Sequence, residues 1–406
     1  MNDNEVKNQD EVVEEESSNE QIDELDNESF TYTVDNNNVS NDYNHSENKS
    51  FIYVIVGVVV LILVVVFLVI IANSGKSKVN GYQGVESSMV SAAKKYFDKN
   101  EELLPTVDGG SVVVSSETLI QSNVLKPFSE MVDNDSNCSG YVNVYKVGDQ
   151  FGYFPFLSCG ESYKSESLSN KIISDGVVSS GDGLYVYGDH YVYRGEYPNN
   201  YVKFDDKIWR IISINNDGSI KMILNEKKVE KNSWDDRYNS SKNSYSGIND
   251  FGVSRLSEYL NDLFTNEKYV GKSNKNYLVK HDWCIGKVSE NDALISSLNL
   301  CNEVYSDSYY GVVQLDELLI PSLDSNCKYV FDNQCTNYNY FYSLNVGWTM
   351  NASSDRSYIA FSSSSGEIIS KITSNSGYVR PVVNINSNTL YNGGEGTLEK
   401  PYVIGN

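Results

Sequence analysis

Hydrophobic and polar positions follow three different rhythms along this chain. In residues 1–50 apolar side chains such as Val12, Val13 and Leu25 stand isolated among Asp, Glu, Asn and Ser. From Phe51 to Ala72 every position is free of charge, an apolar run of 22 residues. Beyond it, short periodic segments alternate with turns. Val85, Met89, Ala92, Ala93 and Tyr96/Phe97 recur every three to four residues and predict a helix over 84–100. A strand is expected over 111–114, a second short helix capped by Ser116 over 116–125, and a hairpin from 141–145 and 151–156 about Gly148-Asp149. From Leu184 onward two-residue alternation dominates, at 184–187, 190–194, 201–204 and 207–213. Asn216-Asp217-Gly218 then forms a turn into a strand at 220–224. Leu256, Tyr259, Leu260 and Leu263 share one face of an amphipathic helix over 254–264. Lys171-Ile172-Ile173 reads as strand-like, and residues 291–298 look helical.

The uninterrupted run changes the picture most. As a helix rising about 1.5 Å per residue it spans roughly 30 Å, the thickness of a hydrocarbon layer, where its backbone has no other way to be satisfied. A secretory leader fits poorly, because the preceding segment is long and acidic and no small-residue cleavage site follows closely. That segment carries fifteen acidic side chains against Lys7 and Lys49 and is expected to be disordered. Two signals set orientation and they disagree. Lys76, Lys78, Lys94 and Lys95 follow the run, which favours a cytoplasmic C-terminal part. All six cysteines also follow it, and an even set suits an oxidising exterior. The cysteines are given the greater weight, so the expectation is a single-pass cell-membrane protein. Its N-terminus is cytoplasmic, its C-terminal domains are extracellular, and the lipid bilayer is its first partner.

The expected fold class is α+β. A disordered tail (1–50) and a transmembrane helix (51–72) precede a small disulfide-closed α/β stalk (79–163), a linker (164–183) and a larger mixed domain (184–404). Cys138 and Cys159, Cys284 and Cys301, and Cys327 and Cys335 form three local pairs that read as bridges, although spacing alone leaves connectivity open. After residue 72 there are forty acidic and thirty basic side chains. A body this acidic excludes nucleic acid as a natural partner.

Two resemblances add to this reading. Ser87-Met-Val-Ser-Ala-Ala-Lys-Lys-Tyr-Phe97, Glu117-Thr-Leu-Ile120, Cys138-Ser-Gly-Tyr-Val142 and Phe154-Pro-Phe-Leu-Ser-Cys159 resemble the juxtamembrane modules of bacterial prepilin-like membrane proteins. The chain departs from pilins in lacking a Gly-Phe cleavage junction and an early helical Glu. Trp209-Arg210, Trp234, Trp348 and Gly377-Tyr-Val-Arg-Pro381 resemble an uncharacterised family of bacterial surface domains, itself similar to the C-type-lectin-like fold of formylglycine-generating enzymes. No cysteine follows Cys335, so the copper chemistry of those enzymes does not carry over.

Thirty-one tyrosines against fourteen phenylalanines is a skew that suits either a sheet face or a wet binding surface. Tyr305, Tyr309, Tyr310, Tyr338, Tyr340, Tyr342, Trp348 and Arg380 are the ligand-binding candidates. The competing role for the tryptophans is core packing, and for Arg380 the fastening of the last strands through its five donors. His281-Asp-Trp-Cys284 gathers reactive types, yet a bridge from Cys284 to Cys301 explains the cysteine without catalysis. Three histidines and no Cys-x-x-Cys argue against zinc. Calcium is left to oxygen-rich stretches such as Asp235-Asp236 and Asn384/Asn386. No phosphate loop or nucleophile elbow occurs, and no cofactor is expected. The sequence points to noncatalytic surface recognition of a protein, glycan or wall polymer. The alternatives are a subunit of a prepilin-like or secretion-associated assembly, and an enzyme.

Overall fold

Two hydrophobic cores organise the residues that the computed structural model describes, 81–132, 137–291 and 293–405. The first is built from α1 (Gly81–Phe97), β1 (Ser111–Ser115), α2 (Ser116–Gln121), α3 (Phe128–Met131), β2 (Cys138–Val147), β3 (Gln150–Cys159) and β4 (Tyr163–Lys164). The strands form an antiparallel sheet in that order. Val85, Met89, Ala92, Ala93 and Phe97 put one stripe of α1 into a core with Val142, Val144 and Leu157. The cap of α2 is Ser115 rather than Ser116, its side chain accepting from the Thr118 amide at 3.1 Å. Cys138 and Cys159 face each other across β2 and β3 and are bridged.

The second core begins with α4 (Leu168–Asp175), which replaces the strand expected about Lys171. Ser167 caps it, accepting from the Asn170 amide at 3.2 Å, and Leu168 and Ile172 are buried four residues apart. A three-residue apolar patch has no period of its own, so the cap decides. There follow β5 (Gly183–Tyr187), β6 (His190–Arg194), β7 (Tyr201–Phe204), β8 (Lys207–Ile214), β9 (Ile220–Leu224), β10 (Lys231–Ser233) and α5 (Arg255–Thr265). After these come β11 (Leu278–Val279), β12 (His281–Cys284), β13 (Val304–Ser308), β14 (Tyr310–Gly311) and α6 (Leu315–Leu319). The chain closes with β15 (Gly347–Ala352), β16 (Ile359–Ser364), β17 (Glu367–Ile372), β18 (Ser376–Tyr378), β19 (Val382–Ile385) and β20 (Tyr402–Ile404). The main sheet runs β11-β19-β9-β8-β6-β5, with β7 on β8 and β20 parallel to β7. The helix looked for at 291–298 is only a single 3-10 turn, Ile295–Ser297.

Trp209, Trp234, Trp283 and Trp348 are all fully buried here. Each indole N–H donates to a backbone carbonyl: Phe204, Thr349, Ser308 and Asn232, at 2.8–3.2 Å. Ring area is thus buried in the second core without an orphaned indole donor.

The single-pass architecture is corrected. Among the described residues no helix is long and apolar enough to cross a membrane. The longest, α1, has 17 residues, about 26 Å at the standard rise, and carries Glu86, Lys94 and Lys95. Residues 51–72 and the acidic tail lie outside the described residues. What stands is an α+β chain with three disulfides. The membrane anchor, the bilayer as partner, the cell-membrane localisation and, with them, surface recognition by a membrane-anchored extracellular domain are set aside.

Candidate functional site

A cavity of about 310 Å³ opens beside the main sheet, walled by β6, the β8–β9 hairpin, β12 and the segment 314–321. Local sequence explains how each wall is aimed. In β8 the register shifts between Ile211, opposite Met222, and Ser213, opposite Lys221. The extra residue is Ile212, and this bulge lets consecutive residues Ile212 and Ser213 both line the cavity. The hairpin turns at Asn215–Ser219, with Gly218 at φ 80° supplying the left-handed step, and sets Asn215 and Asn216 at the rim. Val192, Ile212, Ile320 and Pro321 give the wall an apolar side.

The polar side is charged. Lys221 of β9 is buried and pairs with Glu317 of α6. Glu317 also accepts from the Gln314 amide at 2.9 Å and the Gln314 side chain at 3.1 Å, so its carboxylate is fully committed. Gln314 is held in turn by the Cys284 amide, which donates to its Oε1 at 2.9 Å. Asp316 is in a different position. One of its oxygens accepts from the Glu317 amide at 2.9 Å, and among the described residues no cation lies within ion-pair distance of it. Burial, and then the charge of Glu317, push its carboxyl up to about 6, with Lys221 pulling the other way. On the opposite wall, burial and then Lys221 push half-buried His281 down, against Glu317, Asp217 and Asp282. The His281 ring meets Trp283 edge-on at 5.7 Å, and Lys221 Nζ lies 4.6 Å from the centre of the Trp283 ring. Asp189 and His190 complete the wall, their side chains 3.2 Å apart. Among the described lining residues three carboxylates, of Asp189, Asp316 and Glu317, stand against the one ammonium of Lys221.

The candidates drawn from the sequence lie elsewhere. Tyr309 stacks on Phe264 at 4.0 Å and donates to Asp108, while Tyr310 donates to the Lys268 carbonyl at 3.1 Å. Tyr340 is buried with its ring 4.5 Å from the Arg210 guanidinium, and half-buried Tyr305 accepts from Asn261 at 3.0 Å. Trp348 is core. Arg380 is buried and gives its donors to the carbonyls of Leu224, Glu226 and Asn345 at 2.8–3.2 Å. Tyr338 and Tyr342 alone of the eight are mainly exposed, at 60% and 57%. None of the eight lines the cavity. The cysteines are joined as Cys138–Cys159, Cys284–Cys301 and Cys327–Cys335. Among the described residues no cluster of three or more His, Cys, Asp or Glu is placed to hold a metal. Asp235 is spent on Arg237 and on the amides of Ile248 and Arg255.

Sequence reasoning singled out His281 and Cys284 but missed Lys221, Gln314, Asp316 and Glu317. The signal available was Gln314-Leu-Asp-Glu317, a capping pattern opening a short helix that presents two acids in succession.

No family model matches the chain, and neither the curated proteins nor the solved structures contain a match, so the prepilin-like and C-type-lectin-like resemblances are corrected to an α+β fold without an assigned family.

Proposed function

We propose that this chain binds a small organic cation in the cavity between the β8–β9 hairpin and α6, without transforming it. The observation that carries the reading is the place of Asp316, a carboxylate at the cavity wall without an ion-pair partner among the described residues, while its neighbour Glu317 already holds Lys221, the one lining ammonium among them. Burial and Glu317 push the Asp316 carboxyl up to about 6. A ligand ammonium would supply the missing partner, and Val192, Ile212 and Ile320 would cover a short hydrocarbon body. The cavity volume is at the small end for ligand sites.

Three probes of equal length and different charge test this: n-butylamine, 1-butanol and butyrate, titrated at pH 7.5 and followed by chemical-shift changes of His281 and of the 314–320 amides. The expected order is amine, then alcohol, then butyrate, with at least tenfold between the ends. Equal responses, or a preference for butyrate, would sink the reading.

A second reading, acid–base catalysis, draws on a raised Asp316 and a depressed His281 sharing one cavity. It requires a turnover that both Asp316→Asn and His281→Gln abolish while the fold survives.

A further inference from the structure

We infer that the Cys284–Cys301 disulfide is a reducible modification site whose opening disorganises the cavity. The inference rests on the cavity being the binding site only for its effect on ligand; the disulfide and its coupling stand on their own geometry. Both cysteines line the cavity, and Cys301 is exposed. Each of the other two bridges keeps one cysteine almost wholly buried, Cys159 at 1% and Cys335 at 3% exposure. A thiol reagent therefore reaches Cys301 before the others, since exchange needs access along the sulfur–sulfur axis.

The coupling is a chain of named contacts. Cys284 N–H donates to Gln314 Oε1, and the Gln314 side chain and amide both donate to Glu317, which holds Lys221. From the other side Asn351 donates to the carbonyls of Cys284 and Gly286, while its own oxygen accepts from the Leu315 amide at 2.9 Å. The start of α6, with Asp316 and Glu317, is thus tied to the Cys284 backbone twice, through Gln314 and through Asn351. Among the described residues the segment between the cysteines carries no strand, only two 3-10 turns at Ile295–Ser297 and Leu300–Asn302. It is pinned to the rest of the fold at separate points, by backbone bridges from Val288 to Ser353 and Leu294 to Tyr329 and by Glu290 on Arg356, so the cysteine ends of the segment are what the disulfide itself fixes.

The step balances with a dithiol as reductant. Its thiolate attacks the Cys301 sulfur, the sulfur–sulfur bond breaks, and Cys284 leaves as a thiolate that takes a proton from water. The second thiol then displaces Cys301. The reductant is oxidised by two electrons to its own disulfide, and the protein gains two electrons and two protons.

The test uses the full chain, dithiothreitol at rising concentration, alkylation of the thiols released and peptide mapping. Hydrogen exchange over 285–300 and 315–319 and n-butylamine titration are read on the same samples. Cys284 and Cys301 should label at a dithiothreitol concentration at least tenfold below that needed for the other four. Exchange over 315–319 should rise at least tenfold in that partly reduced form, and butylamine affinity should fall at least fivefold. Cys284→Ser with Cys301→Ser should give the same exchange pattern without reductant; if that variant does not fold, the chemically reduced native chain decides. Simultaneous reduction of all three bridges, or unchanged exchange over 315–319, overturns the inference. If butylamine does not bind the oxidised protein, the cation reading falls alone, and labelling order and exchange still judge the disulfide.

Discussion

Replacing Asp316 by Asn should stabilise the protein at neutral pH while removing its capacity to hold a cation. A carboxyl raised from 3.8 to about 6 in the folded chain costs stability whenever it is ionised. Two pK units correspond to about 3 kcal/mol. The sign follows from proton counts: between the unfolded and folded values the native state holds the proton and the unfolded chain does not. The protective contribution is complete below about pH 4 and is lost as pH rises through about 6. Asparagine keeps the oxygen that accepts from the Glu317 amide and has no charge to desolvate. It forgoes a favourable carboxylate at the start of a helix, roughly 0.3–1 kcal/mol, leaving a net gain of about 2 kcal/mol. For a body of this size that is a rise in melting temperature of roughly 3 °C. Calorimetric melting of both proteins at pH 7.5 and pH 4 checks this: the variant should melt higher at pH 7.5, and the advantage should vanish at pH 4. A variant less stable than the parent at pH 7.5 would refute the claim that Asp316 is a half-buried acid without an ion-pair partner among the described residues.

Other expectations follow from the same contacts. Lys221→Met leaves Glu317 charged and unpaired in a half-buried place, and urea unfolding should show a loss of about 3 kcal/mol or more. Arg380→Met removes the donors serving the Leu224, Glu226 and Asn345 carbonyls, and should cost about 3 kcal/mol by the same measurement without moving butylamine affinity. Glu290, hydrogen-bonded by Arg356 and Ser353, is held down to about 2 despite its burial, so its stabilisation is present above about pH 4.5 and is lost as pH falls toward 2. Glu290→Gln should lower the melting temperature at pH 6 and leave it unchanged near pH 2; Arg356 is half-exposed, so the effect is about 1 kcal/mol. Opening Cys138–Cys159, which spans 21 positions, should cost about 3 kcal/mol, read as a lower urea midpoint.

Much of the local structure was legible because its signals are local. The stripe of α1, the β2–β3 hairpin and the helix over 255–265 follow from period and caps, and the structure differs there by a few residues. The patch at 171–173 failed for a stated cause, since three apolar residues carry no period and Ser167 decided the matter. The site was harder to see. Lys221 and Glu317 are 96 positions apart and meet only through the tertiary fold, with the start of α6 held on β15 through Asn351. The tyrosines misled because a hydroxyl on a ring looks like binding surface in sequence, whereas Tyr309 and Tyr310 spend it inside the fold. Ile212 lines the cavity through a bulge, which alternation alone would have turned away.

The most direct test of the account is a carbon-13 titration of the Asp316 carboxyl, with and without n-butylamine. The account predicts a midpoint near 6 in the free protein, displaced downward by at least one unit when the amine is bound. A free midpoint near 4, or one that the amine leaves in place, would contradict it.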